Sequence, residues 1–238
     1  MIKSIIIAAI CCLPFLQINS DPSCEIDADK KKLYRLDLTV PATFCSKESR
    51  DPSCSIFPKK SILQLHGLWP NYESGYPEGR CDKSECKNQS EKLGKFCKYP
   101  SPKGLYNSED WKRLKDYMAG TEKCLERHEW IKHGICSPLE PVNYFKWALE
   151  KTKYISQPFD SIKDQSITKE DINRLVEKNF PELSGAVRLS CKGQNVSSVY
   201  ILYEWESNGP GNPIKTKGGQ NGFGNCPKTF IFPSSPNR

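Results

Sequence analysis

A disulfide-stabilised α+β domain is the fold class that this 238-residue sequence predicts. Strand-like segments come first, amphipathic helical segments fill the middle, and strand-like segments return at the end. No regular βα alternation joins them, which sets the pattern apart from the parallel α/β classes. Ten cysteines behind an apolar leader supply the disulfide expectation.

The elements follow in order. Leu33 to Val40 alternates apolar and polar residues in part and is stopped by Pro41, so it reads as a strand. Residues 61–65 form a second strand candidate that runs straight into His66. Residues 70–80 are turn-rich, with Gly75, Pro77 and Gly79. Residues 82–105 are polar, lysine-rich and cysteine-bearing, an irregular excursion held by disulfides. Ser108 then caps a helix with Glu109 and Asp110 in its first turn and Trp111, Leu114 and Met118 at helical spacing. Pro141 opens another, with Val142, Phe145 and Leu149 on one side. Thr168 caps a third, with Ile172, Leu175 and Val176 inward. Ala186 to Leu189, Val199 to Trp205 and Thr229 to Phe232 are the late strands, and Gly209 to Gly224 reads as a glycine-rich loop.

Lys3, the apolar run from Ile5 to Leu16 and the small residue Ser20 have the layout of a secretory signal peptide over residues 1–20. The run is too short for a comfortable membrane span, and no later stretch approaches that length. Residues 21–238 are expected to form one soluble domain, outside the cell or in the lumen of a lysosome-like compartment. Of the 12 cysteines, the leader removes Cys11 and Cys12, leaving an even set that allows five disulfides. No Cys-x-x-Cys pair is present, which removes the zinc-ribbon classes. Asn88 and Asn195 head Asn-x-Ser sequons, so each is a glycosylation candidate. Loss of Lys3 takes 35 Lys+Arg to 34 against 28 Asp+Glu, a formal charge of +6 that suits a polyanionic partner without requiring one.

All three histidines sit in two short motifs, Leu65-His66-Gly67-Leu68-Trp69-Pro70 and His128-Glu129-Trp130-Ile131-Lys132-His133-Gly134. Imidazole exchanges protons near neutral pH, so this concentration points to one acid–base site. On a helix at roughly 100° per residue, His128, Lys132, Glu129 and His133 fall on one arc, with Trp130 and Ile131 pointing away. The two histidines are five apart, whereas a helical zinc pair is four apart, which turns the second ring about 100° away from metal geometry. No metal or other cofactor is therefore expected. Trp69 offers a ring either for stacking a base or for core packing.

Together the two motifs resemble the ribonuclease T2 family of secreted, transferase-type ribonucleases, whose active-site segments read Ile-His-Gly-Leu-Trp-Pro and His-Glu-Trp-x-Lys-His-Gly-Thr-Cys. The departures here are Leu65 and Ile135. Pro41 to Cys45 resembles the family's early Pro-x-x-x-Cys turn, and Cys191 to Cys226 its C-terminal disulfide segment. Thr39-Val40 stands where many members carry Gln-Trp, which leaves open a base contact made there.

The resemblance implies an antiparallel sheet with helices packed around it. It also implies a metal-independent endoribonuclease of low base specificity, acting on single-stranded RNA through a 2′,3′-cyclic phosphate to 3′-phosphate ends. His133 would be the base, His66 the acid and His128 a phosphate-binding ring, with Glu129 and Lys132 stabilising the pentacovalent state. Which of His66 and His133 is the base is not readable from the residues themselves. Trp69, Asn71 and Tyr76 are candidates for a base site, though Asn71 and Tyr76 read equally well as turn residues. Family spacing suggests the pairs Cys45–Cys54, Cys81–Cys136 and Cys191–Cys226, with Cys24, Cys86, Cys97 and Cys124 unassigned. A monomer with no obligate protein partner is implied. A binding protein that keeps the fold without catalysis is the alternative, and the intact His/Glu/Lys set argues against it.

Overall fold

The computed structural model describes residues 24, 26–55, 59–75 and 96–236. The leader, Tyr76, Cys81, Cys86, Asn88 and most of the 82–105 excursion lie outside the described residues. The chain order is β1 (Lys32–Thr39), α1 (Pro41–Cys45), β2 (Gln64–Tyr72), α2 (Glu109–Tyr117), α3 (Leu125–Lys132), α4 (Pro141–Phe159), β3 (Ser166–Thr168) and α5 (Lys169–Asn179). Strands β4 (Arg188–Lys192), β5 (Asn195–Glu206), β6 (Gly209–Pro213) and β7 (Thr229–Ile231) complete it.

These strands form one sheet in the order β2-β1-β5-β7-β3, with β4 and β6 also paired to β5. Pairing is antiparallel except at Asn195–Ile231, where β5 and β7 run parallel. The single-domain α+β expectation therefore holds, with a mixed rather than wholly antiparallel sheet. Leu36 and Leu38 of β1, Leu65 and Leu68 of β2, and Val199 and Ile201 of β5 are buried in one cluster with Tyr144, Phe145, Ala148 and Leu149 of α4. Each such Leu, Val, Ile or Phe side chain contributes roughly 1.5–3 kcal/mol by leaving water. The alternate positions, Arg35, Asp37 and Thr39 on β1 and Gly67, Trp69 and Asn71 on β2, lie on the other face.

Ser108 caps α2 by accepting from the Trp111 N–H, and Thr168 forms a capping box with Asp171 at α5. Thr168→Ala is expected to cost about 1 kcal/mol, read as a lower denaturant midpoint at unchanged slope.

Three sequence expectations change. Strand β2 continues through Pro70 to Tyr72, where a turn was expected, because β2 is an edge strand and an edge tolerates a residue with no N–H. His66 consequently sits near the start of β2 rather than at a strand end. Residues 209–213 of the expected loop pair as β6. The expected Cys81–Cys136 disulfide is replaced by Cys24–Cys136, because the N-terminal segment brings Cys24 within 5.1 Å of Cys136 between Cα atoms. Cys45–Cys54 and Cys191–Cys226 are bonded, as is Cys97–Cys124. Helix α3 is thus held by a disulfide just before its first residue, at Cys124, and another just beyond its end, at Cys136. Among the described residues no helix is long and apolar enough to cross a membrane.

Candidate active site

A β-bulge aims His66 into the site. The β1–β2 register runs Asp37 opposite Gly67 and then Leu38 opposite Leu65, leaving His66 as the extra residue. Simple alternation would put Leu65 and Gly67 on the same face and His66 on the other. The bulge sends Leu65 to the core and leaves His66 beside the polar face of β1, the re-aiming that bulges allow. There its Nδ1 lies 3.5 Å from Thr39 Oγ1 and 3.9 Å from Asp37 Oδ1. Its Nε2 lies 3.6 Å from Glu129 Oε1.

Helix α3 supplies the other half. It ends at Lys132, and His133 is its C-cap, with its N–H donating to the Glu129 carbonyl. The polar arc turns inward: His128, Glu129 and His133 are buried, and Lys132 and Trp130 partly so. The reason is that α3 is enclosed on two sides. Trp130 meets Tyr144 of the main core, and Ile131 joins Phe96 and Tyr99 in a second cluster.

Trp69 joins the two halves. Its Nε1 donates to Glu129 Oε2 at 2.6 Å. The His66 ring meets it edge-on at 5.2 Å between centroids, and the His133 ring stacks on it at 5.0 Å. The Arg35 guanidinium lies 5.2 Å from the same indole. Both histidines therefore touch one indole. The indole is only partly buried.

Gly67 makes the junction possible, because a Cβ there would collide with both Trp69 Nε1 and Glu129 Oε2. His128 stands to one side, stacked on Phe96 at 4.3 Å. Lys132 is half-buried, and Asn71 donates from Nδ2 to the Tyr72 carbonyl at 2.7 Å.

Burial sets the protonation states. It pushes the His133 imidazole well below its ordinary range, and the nearby positive charges of Lys132, His128 and His66 act in the same direction. Burial also raises the Glu129 carboxyl, against the opposing pull of His66, the Trp69 N–H and Lys132. A cavity of about 330 Å³ opens beside this cluster, lined by His66, His128 and Glu129 on one side and Phe44, Asp51 and Phe96 on the other. Among the described residues no group of three or more His, Cys, Asp or Glu is arranged to hold a metal ion.

Sequence reasoning did not single out Arg35, Asp37 or Phe96. Arg35 and Asp37 were signalled by the partial alternation of β1, which carries a salt bridge on its polar positions. Phe96 had no sequence signal, because its contact with His128 depends on the Cys97–Cys124 disulfide and the fold around it.

The sequence model of the Ribonuclease T2 family matches residues 31–210. The chain is 26% identical over 199 residues to Ribonuclease I of Escherichia coli (strain K12), covering 73% of this chain and 72% of that protein. It is 34% identical over 116 residues to intracellular ribonuclease LX of Solanum lycopersicum, covering 48% of this chain and 44% of that protein. Its fold is similar to that of the RNase-related protein from Calystegia sepium, with a TM-score of 0.57 at 17% identity over 86% of this chain and 98% of that one. With its matched segment spanning both histidine motifs, the chain belongs to the Ribonuclease T2 family.

Proposed function

We propose that this endoribonuclease of the T2 family cleaves single-stranded RNA by metal-independent transphosphorylation at the cluster of His66, His128, Glu129, Lys132 and His133. One observation carries the reading: His66 and His133, from a strand bulge and a helix cap far apart in sequence, converge on the Trp69 indole, which the Glu129 carboxylate holds while facing His66. RNA supplies its own nucleophile, so the protein needs only a base, an acid and charge around the phosphorus.

His133, held neutral by burial, takes the proton from the 2′-OH. The 2′ oxygen attacks phosphorus, and the 5′ oxygen leaves with a proton from His66, giving a 2′,3′-cyclic phosphate. Water then reverses the roles and opens the ring to a 3′-phosphate. Lys132 and His128 balance charge on the pentacovalent state, and Glu129 fixes Trp69 and faces His66. Trp69 acts chiefly as the positioning ring. Asn71 lies on the same face of β2 and, with Tyr76, is assigned to the base-binding side, with low base specificity.

The rest of the reading is a secreted monomer, residues 21–238 after loss of a leader over 1–20, glycosylated at Asn88 and Asn195. Asn195 begins β5 and is half-buried. Residence in a lysosome-like lumen is the variant of the same reading.

An RNA zymogram with and without EDTA tests the proposal. Equal clearing in both lanes, with cyclic phosphate as the first product, is the expected result. A silent band would leave a binding protein on this fold, and EDTA sensitivity would point to a metal hydrolase. The pH profile adds a second check. The base form of His133 is the neutral ring, and its depressed pKa keeps it neutral below the ordinary histidine value of ~6.5. The acid limb of kcat/KM against pH is therefore expected below that value, with activity lost only as His133 takes up a proton.

A further inference from the structure

We propose that Asp37, clamped by Arg35, is a positioning residue for His66 as the proton donor to the leaving 5′ oxygen. The inference deepens the ribonuclease reading and rests on it. Asp37 is 4% exposed and lies on β1 opposite Gly67, immediately beside the bulge. Arg35 Nε and Nη2 both donate to one of its oxygens, Oδ2, at 3.0 and 2.6 Å. Its other oxygen, Oδ1, stands 3.9 Å from His66 Nδ1.

The consequence is geometric. The His66 ring is held edge to edge between two buried carboxylates, Asp37 at Nδ1 and Glu129 at Nε2, with Thr39 Oγ1 also at Nδ1. A bulge residue that is 42% exposed in its side chain has few packing contacts to fix its torsions. The Thr39 hydrogen bond and the two carboxylates at ion-pair distance from its ring nitrogens orient it instead, related to the way a carboxylate orients a catalytic histidine elsewhere. Arg35 is held in turn, since its guanidinium lies between the Trp69 ring at 5.2 Å and the Tyr200 ring at 4.1 Å. A chain of contacts thus runs Tyr200–Arg35–Asp37–His66, all on one sheet face and none of it on α3. The base side, His133, is positioned by the helix cap and by stacking on Trp69, which Arg35 also meets. The Asp37 carboxylate itself faces His66, so its loss bears first on the acid half of the reaction.

That asymmetry defines the test. For each of the four nucleosides, wild-type protein and Asp37→Asn are assayed on a dinucleoside phosphate and on the matching nucleoside 3′-(4-nitrophenyl phosphate). The nitrophenolate leaves without needing a proton, so it bypasses the acid. On the dinucleoside phosphate, kcat is expected to fall roughly 10- to 100-fold with KM within about twofold, a fraction of what a whole acid group is worth. On the nitrophenyl ester the loss is expected to stay within about threefold.

Equal losses on both substrates, or no loss on either, overturn the role of Asp37 and leave the ribonuclease reading standing. A wild-type protein that turns over neither substrate nor RNA overturns both. Asp37→Asn leaves Arg35 without its carboxylate in a half-buried position, so the double variant Arg35→Met with Asp37→Leu serves if the single variant does not fold. It is expected to show the same split between the two substrates, and equal loss on both would again reject the proposal.

Discussion

Replacing His133 by alanine is expected to lower kcat on RNA by roughly 10²–10⁴-fold, and His66→Ala by a similar factor. The two rings are the acid–base pair of the proposed reaction. His128 is the remaining imidazole, and it is stacked on Phe96. The double variant should cost little more than either single one, because groups that act as a unit are not additive. Folding should survive both changes. His66 is on the open side of the sheet, and His133 caps a helix end held by the Cys24–Cys136 disulfide just beyond it. Zymogram clearing and a far-UV CD melt separate the two effects. Near-normal clearing by either single variant would remove that residue from the catalytic pair.

Gly67→Ala is the second large effect, and it adds only one methyl group. Gly67 does not have a left-handed backbone, so alanine meets no conformational penalty there. The cost is steric: the new Cβ would fall on Trp69 Nε1 and Glu129 Oε2, the two atoms of the hydrogen bond that joins β2 to α3. Trp69 touches both catalytic rings, so displacing it moves His66 and His133 relative to each other. A misplacement of about 1 Å can cost on the order of 10²-fold in rate. We expect a kcat loss of about that size, with a stability loss of roughly 1–3 kcal/mol for the overpacking. Wild-type kcat in a folded Gly67→Ala protein would show that the Trp69–Glu129 contact is dispensable.

Much of the site was legible because its chemistry is written in residue types. Three histidines in two motifs, with Glu129 and Lys132 between two of them, mark an acid–base centre whatever the fold. The caps at Ser108 and Thr168 were legible for a similar reason, since a short polar side chain before a helical run satisfies the first free N–H groups locally. Pro70 misled because its turn preference is local. Its place in β2 depends on which strand lies at the sheet edge, a non-local fact. The helical spacing put His128, Glu129, Lys132 and His133 on one arc with Trp130 and Ile131 pointing away. Both do meet apolar clusters, and Glu129 and His133 are buried as well, because Trp69 of β2 covers them.

The fold class, the caps, and the identity of the imidazoles, carboxylate and lysine available for chemistry were readable from the residues alone. These depend on side-chain type and on periods of two or 3.6 residues, which a chain carries wherever it goes. Long-range contacts alone turn His66 out of its alternation through a bulge, close Cys24 rather than Cys81 on Cys136, and set Asp37 and Trp69 beside His66. Each of those is a contact between segments distant in sequence. Register and burial set such contacts, and neither exists until the sheet has formed.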